Sequence, residues 1–211
     1  MEKKRRFFTA DHHFGHANIL KYQPNRWFKD VDSMNSGLVD AWNAVVSEKD
    51  EVYCLGDMSY KFETLREHLP YMNGRKVWIF GNHDPVFKPM LSGDRALVDA
   101  TKKKAIREGF AEIHRELEIQ IEGIGVVKMS HFPYWPASTE GLENHELRYP
   151  DLRPQQGREA LLLHGHVHSN WLMRRDDLYP APMLNVGVDV WNMRPVSETE
   201  IVEKFNQVSV E

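Results

Sequence analysis

The sequence lacks several features that define whole classes of protein. It contains one cysteine, Cys54, so no disulfide can form within the chain, and the apolar residues around it predict that the thiol packs in the core. No apolar run approaches the roughly 18 residues of a membrane span, and the basic start leads directly to Phe7, Phe8 and then Asp11 instead of a signal-type apolar stretch. We therefore expect a soluble, cytoplasmic protein without a membrane partner.

A strong charge imbalance is also absent. The formal net charge is −4, which argues against a protein held to nucleic acid mainly by bulk electrostatics, although a local groove can still be basic. The chain has 211 residues, 41% apolar composition and 11 scattered prolines. It is long enough for one well-buried domain and short for two. We expect a single domain over residues 1–211, without internal repeats.

The first half of the chain alternates strand-like and helix-like patterns. Apolar runs at residues 6–10, 51–55 and 76–80 predict strands. Stripes with helical spacing at residues 30–46 and 62–72 predict the helices between them. This order of elements is typical of a partly parallel sheet in an α/β fold.

The second half continues with strands and one long irregular segment. The patterns predict a helix at 94–109, an antiparallel hairpin of 117–121 with 124–129, and strands at 160–163 and 183–190. Residues 132–158 contain four prolines and break the regularity. A loop of this length in a compact domain is usually functional or mobile, so we expect it beside a site.

Five short polar clusters each directly follow an apolar run. They are Asp11-His12-His13, Gly56-Asp57, Gly81-Asn82-His83-Asp84, Ser130-His131 and Gly165-His166-Val167-His168. Side chains from distant parts of the sequence thereby come to the ends of neighbouring strands, where α/β folds build their sites. The residue types in these clusters predict a metal-binding site.

The chemistry of the clusters favours two ions. Two ions roughly 3.5–4 Å apart need a shared ligand, and a carboxylate can bridge them while a hydroxide completes the pair and attacks phosphorus in line. Asp57 is the bridging candidate. In an extended segment, residues two apart share a face, so Asp11 and His13 can bind one ion, and the same parity places His166 and His168 on one side.

The donor atoms in the clusters are nitrogen and oxygen, with no sulfur. Such a set suits Mn²⁺, Fe, Zn²⁺, Ni²⁺ or Co²⁺, and affinity order alone does not select the ion. We expect two divalent metal ions as cofactors, with Mn²⁺ favoured.

The ordered set D-x-H, G-D, G-N-H-D, H and G-H-x-H resembles the calcineurin-like metallophosphoesterase family, and D-x-H-F-G-H-x-N at 11–18 is similar to its small bacterial and phage branch. The resemblance implies an α/β four-layer sandwich of two mixed β-sheets flanked by helices. It also implies two ligand sets that share one carboxylate: Asp11, His13, Asp57 and His168 for one ion, and Asp57, Asn82, His131 and His166 for the other. Some members of the branch carry Arg-Pro-Phe where this chain has Arg26-Trp27-Phe28, so a substrate role for Arg26 stays open.

The resemblance also implies a general acid. In the family, a histidine placed like His83 protonates the leaving oxygen or stabilises the transition state. The neighbouring Asp84 is expected to hold the imidazole tautomer and raise its pKa, which completes the predicted catalytic pair. His164 has the parity of the ligands but lies two residues deeper, which favours a buried hydrogen-bonding role.

Substrate contacts are less sharply defined by the sequence. His16 and Asn18 follow the first ligands toward an expected helix N-terminus, where they can meet a phosphate; capping and packing are the alternative. Tyr134 and Trp135 in the long loop can stack a base over the metals or pack the loop onto the body.

Two further features allow alternatives. The loop arginines can clamp a phosphate or merely solvate the loop; they are Arg148, Arg153 and Arg158. Asp189 can support a metal ligand or cap a turn, and the turn cap is the simpler explanation.

We expect an enzyme: a metal-dependent phosphoric ester hydrolase that cleaves a phosphodiester in a nucleotide, a cyclic nucleotide or a nucleic-acid end. Phosphomonoester hydrolysis by the same site is the alternative, because the metals and hydroxide serve both reactions. Some members of this fold, such as the scaffold subunit of the retromer coat, mainly bind partners. A scaffold need not retain a complete ligand set or the histidine between Asn82 and Asp84, and this chain has both.

Overall fold

The computed structural model describes residues 4–136, 138–140, 142, 147–176 and 178–208, and it shows an α/β protein with two mixed five-stranded sheets. The strands are β1 (Arg6–Thr9), β2 (Glu51–Cys54), β3 (Arg75–Ile79), β4 (Glu112–His114), β5 (Glu116–Ile121), β6 (Gly125–Ser130), β7 (Leu161–His164), β8 (Met173–Asp176), β9 (Tyr179–Asn185) and β10 (Val196–Ser197). The helices are α1 (Ile19–Tyr22), α2 (Val31–Asn43), α3 (Phe62–His68), α4 (Phe87–Met90), α5 (Arg95–Arg107) and α6 (Glu198–Val208).

The first sheet has the strand order β10-β1-β2-β3-β4, and the second has β5-β6-β7-β9-β8. Strands β1 to β4 run parallel, and β10 pairs with β1 in the antiparallel direction. In the second sheet, β6, β7 and β9 are parallel, while β5 and β8 are antiparallel edge strands. The carboxyl ends of several neighbouring strands therefore lie together, as a site at a sheet edge requires.

Helix α2 shows how the sequence sets a local element. Asp30 accepts a hydrogen bond from the Ser33 backbone N–H at 2.8 Å, and the Ser33 hydroxyl accepts one from the Asp30 N–H, which forms a capping box. Met34, Leu38 and Trp42 recur every four residues and are fully buried. The stripe fixes the helix against the first sheet, in agreement with the helix predicted at 30–46.

The two faces of the first sheet carry two separate cores. Successive residues of a strand point to opposite faces, so Phe7 packs among the helix residues Leu38 and Leu65, whereas Phe8 packs toward the second sheet. Met129 of the second sheet lies in that same inter-sheet cluster. The layers of helix, sheet and sheet agree with the predicted order. Cys54 is a buried free thiol in the helix-side core, as predicted.

The outer face of the second sheet departs from the predicted four layers. A small cluster covers it, in which Tyr134 and Trp171 from irregular segments pack on Leu162, Ala181 and Met183. Within the described ranges, no helix contributes to this cluster. Part of the loop predicted at 132–158 therefore takes the place that we expected a helix to occupy.

Element boundaries differ at several places. The strand predicted at 183–190 begins earlier, at Tyr179, and ends at Asn185, where a 3-10 turn (Val188–Val190) follows. Strands β4, β8 and β10 and helix α6 were not among the predicted elements. Their order depends on long-range pairing, such as Phe8 with Val196, that a local pattern does not contain. Among the described residues, no helix is long and apolar enough to cross a membrane.

Candidate metal centre

The five polar clusters follow β1, β2 and β3 of the first sheet and β6 and β7 of the second. Backbone hydrogen bonds continue beyond the strand ends and tie the clusters to one another. The Asp11 N–H donates to the Gly56 carbonyl at 3.0 Å, and the Gly165 N–H donates to the His131 carbonyl at 3.0 Å. The His166 N–H also donates to the Asp11 carboxylate at 3.0 Å, so the clusters of the two sheets form one patch.

The backbone of this patch is unusual. The non-glycine residues with positive φ include five of the predicted ligands: Asp11 (61°), His13 (53°), Asp57 (53°), His166 (74°) and His168 (49°). Left-handed backbone is sparsely populated by residues with a Cβ and persists where the surrounding structure determines it. We expected extended strand ends, and this detail was wrong, because each chain segment turns as it leaves its strand.

Donor atoms nevertheless converge. Asp11, His13 and His168 form one group whose ligand atoms all lie within 4.8 Å of one another, and Asp11, Asp57 and His131 form a second such group. The Asp57 Oδ2 atom lies 3.6 Å from His13 Nε2 and 3.4 Å from His131 Nε2. Asp11 is the member common to both groups, and the Asp57 carboxylate lies close to one histidine of each.

The two remaining predicted ligands lie beside His131. The Asn82 Oδ1 atom is 3.2 Å from His131 Nε2, and the His166 ring centroid is 5.3 Å from that of His131. The His166 backbone N–H also donates to both carboxylate oxygens of Asp11, at 3.1 and 3.0 Å. The structure thus brings all seven predicted ligands together, and their roles as ligands stay a prediction.

The rings of His131 and His168 are each held through Nδ1. His131 Nδ1 lies 2.8 Å from the Leu55 carbonyl, and His168 Nδ1 lies 2.8 Å from Asp189 Oδ2. Both partners accept a hydrogen bond from Nδ1–H, so Nε2 is left as the metal-binding atom. Over the described part of the chain, neither ring nitrogen of the buried His13 has a hydrogen-bond partner.

A buried, unpaired ring nitrogen is costly unless something binds it. The carboxylates also make the patch attractive to positive charge: burial acts to lower the pKa of His131, but Asp57 and Asp11 outweigh it and raise this pKa to about 9. A metal cation can replace such a proton. The donor set and its surroundings therefore fit divalent metal ions.

A buried ion pair behind the patch supports His168. Arg26 Nε and Nη2 donate to Asp189 at 2.7 and 2.8 Å, and Arg26 Nη1 donates to the His12 carbonyl at 2.9 Å. Burial acts to raise the pKa of Asp189, but Arg26 and His168 hold it well below its usual range. The simpler interpretation of Asp189 as a turn cap was wrong.

Arg26 is equally informative, because its side chain is fully buried in this network. A substrate contact is therefore excluded for this geometry, and Arg26 acts by holding the Asp11–His12 backbone and Asp189. The two partners are 163 positions apart, so no local sequence pattern joined them.

The predicted role of Asp84 is corrected by its hydrogen bonds. Its carboxylate accepts backbone N–H groups from Asp57 (2.9 Å), Met58 (2.8 Å) and Gly81 (2.7 Å), and the Trp78 indole N–H (3.1 Å). In the described residues, no hydrogen bond joins Asp84 to the His83 ring. Asp84 faces away from that ring because the turn after β3 aims it into the loop backbone; burial raises its pKa to about 7.

His83 lies at the rim of the patch and is half-buried. Its backbone N–H donates to Asp57 Oδ1 at 2.8 Å, and its ring lies 5.4 Å from the His13 ring. Burial lowers the pKa of His83, whereas Asp57 acts to raise it. The expectation that Asp84 raises this pKa was therefore wrong.

The predicted substrate residues have different outcomes. His16 is half-buried, with its ring 5.5 Å from the His13 ring, and Asn18 is exposed at the start of α1 without a side-chain cap. Tyr134 is only 1% exposed, stacks on Tyr179 and donates to Glu159, so the prediction that Tyr134 stacks a base was wrong. Trp135 is half-buried, and its ring lies 5.8 Å from the guanidinium of the loop residue Arg153.

The loop arginines and His164 complete the comparison with the sequence. Arg153 is buried, lies 5.8 Å from the Trp135 ring and donates to the Arg148 carbonyl, so it holds the loop instead of a phosphate. His164 is fully buried, and its Nδ1 lies 2.7 Å from the Gly165 carbonyl, which confirms the buried hydrogen-bonding role.

The comparison with protein-family models finds no match. The chain is 31% identical to the "Uncharacterized protein MJ1445" of Methanocaldococcus jannaschii, over 100% of this chain and 96% of that protein. It is 30% identical to the "Gene 66 protein" of Mycobacterium phage L5, over 97% and 96% of the two chains. A crystal structure of a "Protein of Unknown Function AQ665 from Aquifex aeolicus" superposes with a TM-score of 0.67 and 27% identity, over 95% and 99% of the chains. The chain therefore belongs to the family that includes MJ1445 and the gene 66 protein of phage L5.

Proposed function

We propose that this protein is a metal-dependent phosphoester hydrolase of the calcineurin-like metallophosphoesterase type, with two divalent ions and a preference for phosphodiesters. One observation carries the proposal: the Asp57 carboxylate lies within 3.6 Å of His13 and 3.4 Å of His131, inside a patch of buried nitrogen and oxygen donors. This arrangement supports a dinuclear site with Asp57 as the shared ligand.

When bound, the two ions supply Lewis-acid activation of water and of the phosphoryl oxygens. The chain supplies the ligands in fixed tautomers, because the Leu55 carbonyl and Asp189 hold the His131 and His168 rings. The left-handed backbone at Asp57 and His13 presets their positions, so little reorganisation is needed when the site fills.

His83 is the proposed general acid. Water attacks phosphorus in line and loses a proton to solvent, the ester P–O bond breaks, and the protonated His83 ring donates its proton to the departing oxygen and regains one from solvent. Burial lowers the pKa of this ring, but the negative charge of a bound phosphate diester acts in the opposite direction. The ring is on the exposed rim, next to the Asp57 carboxylate, where a substrate phosphate can approach it.

The leading substrates under this proposal are phosphodiesters of nucleotides, cyclic nucleotides or nucleic-acid ends. Monoester hydrolysis would use the same donors, since the same ions and water serve both reactions. Among the candidate ions, Mn²⁺ is favoured, with Fe, Zn²⁺, Ni²⁺ and Co²⁺ compatible with the nitrogen and oxygen donors.

The test is turnover of bis-p-nitrophenyl phosphate and p-nitrophenyl phosphate by metal-stripped protein, titrated with Mn²⁺, Zn²⁺, Ni²⁺ and Mg²⁺. The proposal expects metal-dependent cleavage that favours the diester. Preference for the monoester would make the protein a phosphatase. If the protein binds ions yet cleaves neither ester, and Asp57→Asn and His83→Ala behave like the wild type, the catalytic proposal fails and a scaffold role gains support.

A further inference from the structure

Tyr60 is a rim side chain that none of the five polar clusters includes. It lies three residues after Asp57, in the segment between β2 and α3, and it remains 42% exposed. Its ring centroid is 4.8 Å from that of His83, with an edge-on angle of 64°, and 4.9 Å from that of His16. An exposed aromatic ring therefore borders the proposed general acid.

The same ring also faces the metal ligands. Its centroid is 6.1 Å from that of His13, so a group bound against Tyr60 would lie near this predicted ligand. The aromatic row continues outward, because Tyr22 is 66% exposed and its ring lies 6.3 Å from the His16 ring.

The segment that carries Tyr60 is firmly held. The Ser59 hydroxyl donates to the Phe14 carbonyl at 2.9 Å, and Phe14 and Ser59 form a parallel β-bridge. The Met58 N–H donates to Asp84 at 2.8 Å. A platform with its backbone fixed in this way loses little conformational freedom when a flat group stacks on it.

Charge on this side suits an anionic ligand. Arg148 is exposed, and its charge is close enough to act on the pKa values of both His83 and Tyr60. The Arg153 side chain donates to the Arg148 carbonyl at 3.0 Å, which holds that part of the loop. An exposed cation and an exposed aromatic ring that both act on the surroundings of His83 match a nucleotide, which combines phosphate with a flat base.

We propose that Tyr60 is a base-stacking platform that makes the site prefer phosphodiesters carrying a nucleoside. This inference rests on the proposed function and deepens it, because it names the group next to the scissile phosphate. Stacking of one base on an aromatic side chain is worth ~1–3 kcal/mol. At 1.4 kcal/mol per tenfold change, this corresponds to about a 5- to 140-fold advantage.

The experiment compares two esters with the same leaving group. Thymidine 5′-(p-nitrophenyl phosphate) carries a base, and methyl p-nitrophenyl phosphate does not. The wild type is expected to show the higher kcat/KM with the thymidine ester, mainly through a lower KM. Tyr60→Ala should reduce the ratio of the two kcat/KM values about 5- to 140-fold.

Two further variants separate stacking from structural support. Tyr60→Phe keeps the ring and should keep the wild-type ratio of the two kcat/KM values. Tyr60→Leu keeps much of the side-chain volume but not the ring, so most of the preference for the thymidine ester should be lost. Tyr71→Ala removes a tyrosine that is 71% exposed and lies outside the rim, so it should leave both esters unchanged. If Tyr60 only supports His83, Tyr60→Ala will slow both esters equally, and the unchanged ratio overturns the inference. If Tyr60→Phe loses the preference for the thymidine ester, the inference is overturned as well.

A binding measurement keeps this inference distinct from the catalytic proposal. Equilibrium binding of thymidine 5′-monophosphate and of deoxyribose 5-phosphate is compared in the Mn²⁺-loaded wild type and Tyr60→Ala. If the wild type cleaves no ester but its preference for the thymidine compound depends on Tyr60, the proposed function fails and the stacking platform stands. If esters are cleaved, but Tyr60→Ala keeps both the kinetic preference for the thymidine ester and the binding preference for thymidine 5′-monophosphate, the platform fails and the function stands.

Nucleoside phosphodiesters have two natural sources that the same platform would accept. Competition of the thymidine ester by a 3′,5′-cyclic nucleotide and by a short single-stranded oligonucleotide distinguishes them. Inhibition by either probe that weakens in Tyr60→Ala supports the platform and identifies the source. Equal inhibition of the wild type and Tyr60→Ala by both probes contradicts it.

Discussion

Replacing Asp189 with asparagine removes one negative charge from a buried network without changing the size of the side chain. Asp189 accepts three hydrogen bonds: from Arg26 Nε at 2.7 Å, from Arg26 Nη2 at 2.8 Å and from His168 Nδ1 at 2.8 Å. Asparagine offers a single acceptor oxygen, and its amide NH₂ would face a donor. At least one of the three donors therefore loses its partner.

Two quantities should change in Asp189→Asn. Removing one partner of a buried ion pair costs roughly 3–5 kcal/mol in the free energy of unfolding, because the Arg26 charge stays buried. Losing the carboxylate that orients His168 should weaken metal binding by about 10- to 100-fold. The assays are urea unfolding of the metal-stripped protein and Mn²⁺ affinity by competition with a metal-binding dye.

Asp50→Asn is the matched control. Asp50 is a second buried carboxylate paired with an arginine, Arg5 at 2.7 Å, but it precedes β2, whereas the metal-binding clusters follow the strands. It should lose stability and keep the Mn²⁺ affinity of the wild type. If Asp189→Asn binds Mn²⁺ as tightly as the wild type, or if Asp50→Asn weakens binding to the same extent, the argument about His168 is refuted.

Further expectations concern the general acid, the pH dependence of stability and the core. His83→Ala should lower kcat about 10²- to 10⁴-fold on a diester with a poor leaving group and much less on p-nitrophenyl esters, with Mn²⁺ affinity unchanged; steady-state kinetics on both ester classes checks this. Burial acts to raise the pKa of Asp50, but Arg5 and Ser47 outweigh it and hold the pKa well below its usual range. The charged Asp50 therefore stabilises the fold above the unfolded pKa of about 3.9, and this contribution is lost as the pH falls toward the folded pKa. Urea unfolding between pH 2 and 7, roughly the range in which Asp titrates, should therefore show a flatter acid limb in Asp50→Asn. Leu38→Ala should destabilise the protein by ~2–5 kcal/mol, since Leu38 is fully buried, and should leave kcat of the folded enzyme unchanged.

The sequence predicted the elements whose pattern is local. The helix at 30–46, the hairpin and the first three strands follow from apolar spacing, and Asp30 caps α2. The site clusters were found for the same reason, because polar residues directly after buried strands stand out. Their convergence follows from parallel strand order.

What the sequence did not predict depends on contacts across long separations. Arg26 pairs with Asp189 across 163 positions, and the neighbouring residues of neither partner indicate the pair. The sequence predicted that Asp84 holds the His83 imidazole. In the structure, the left-handed turn at Asp57 brings a backbone N–H toward Asp84 instead. Tyr60 gave no signal because a single exposed tyrosine after Asp57 has no periodicity of its own.

The most direct test of the central claim is the metal content of the chain measured together with turnover. Metal-stripped wild type and Asp57→Asn are titrated with Mn²⁺, bound metal is counted per chain, and cleavage of bis-p-nitrophenyl phosphate is followed in the same samples. The account predicts that wild-type activity saturates at two ions per chain and that Asp57→Asn loses both the paired binding and the activity. Wild-type turnover that needs no metal, or Asp57→Asn that binds two ions and cleaves the diester at the wild-type rate, would contradict it.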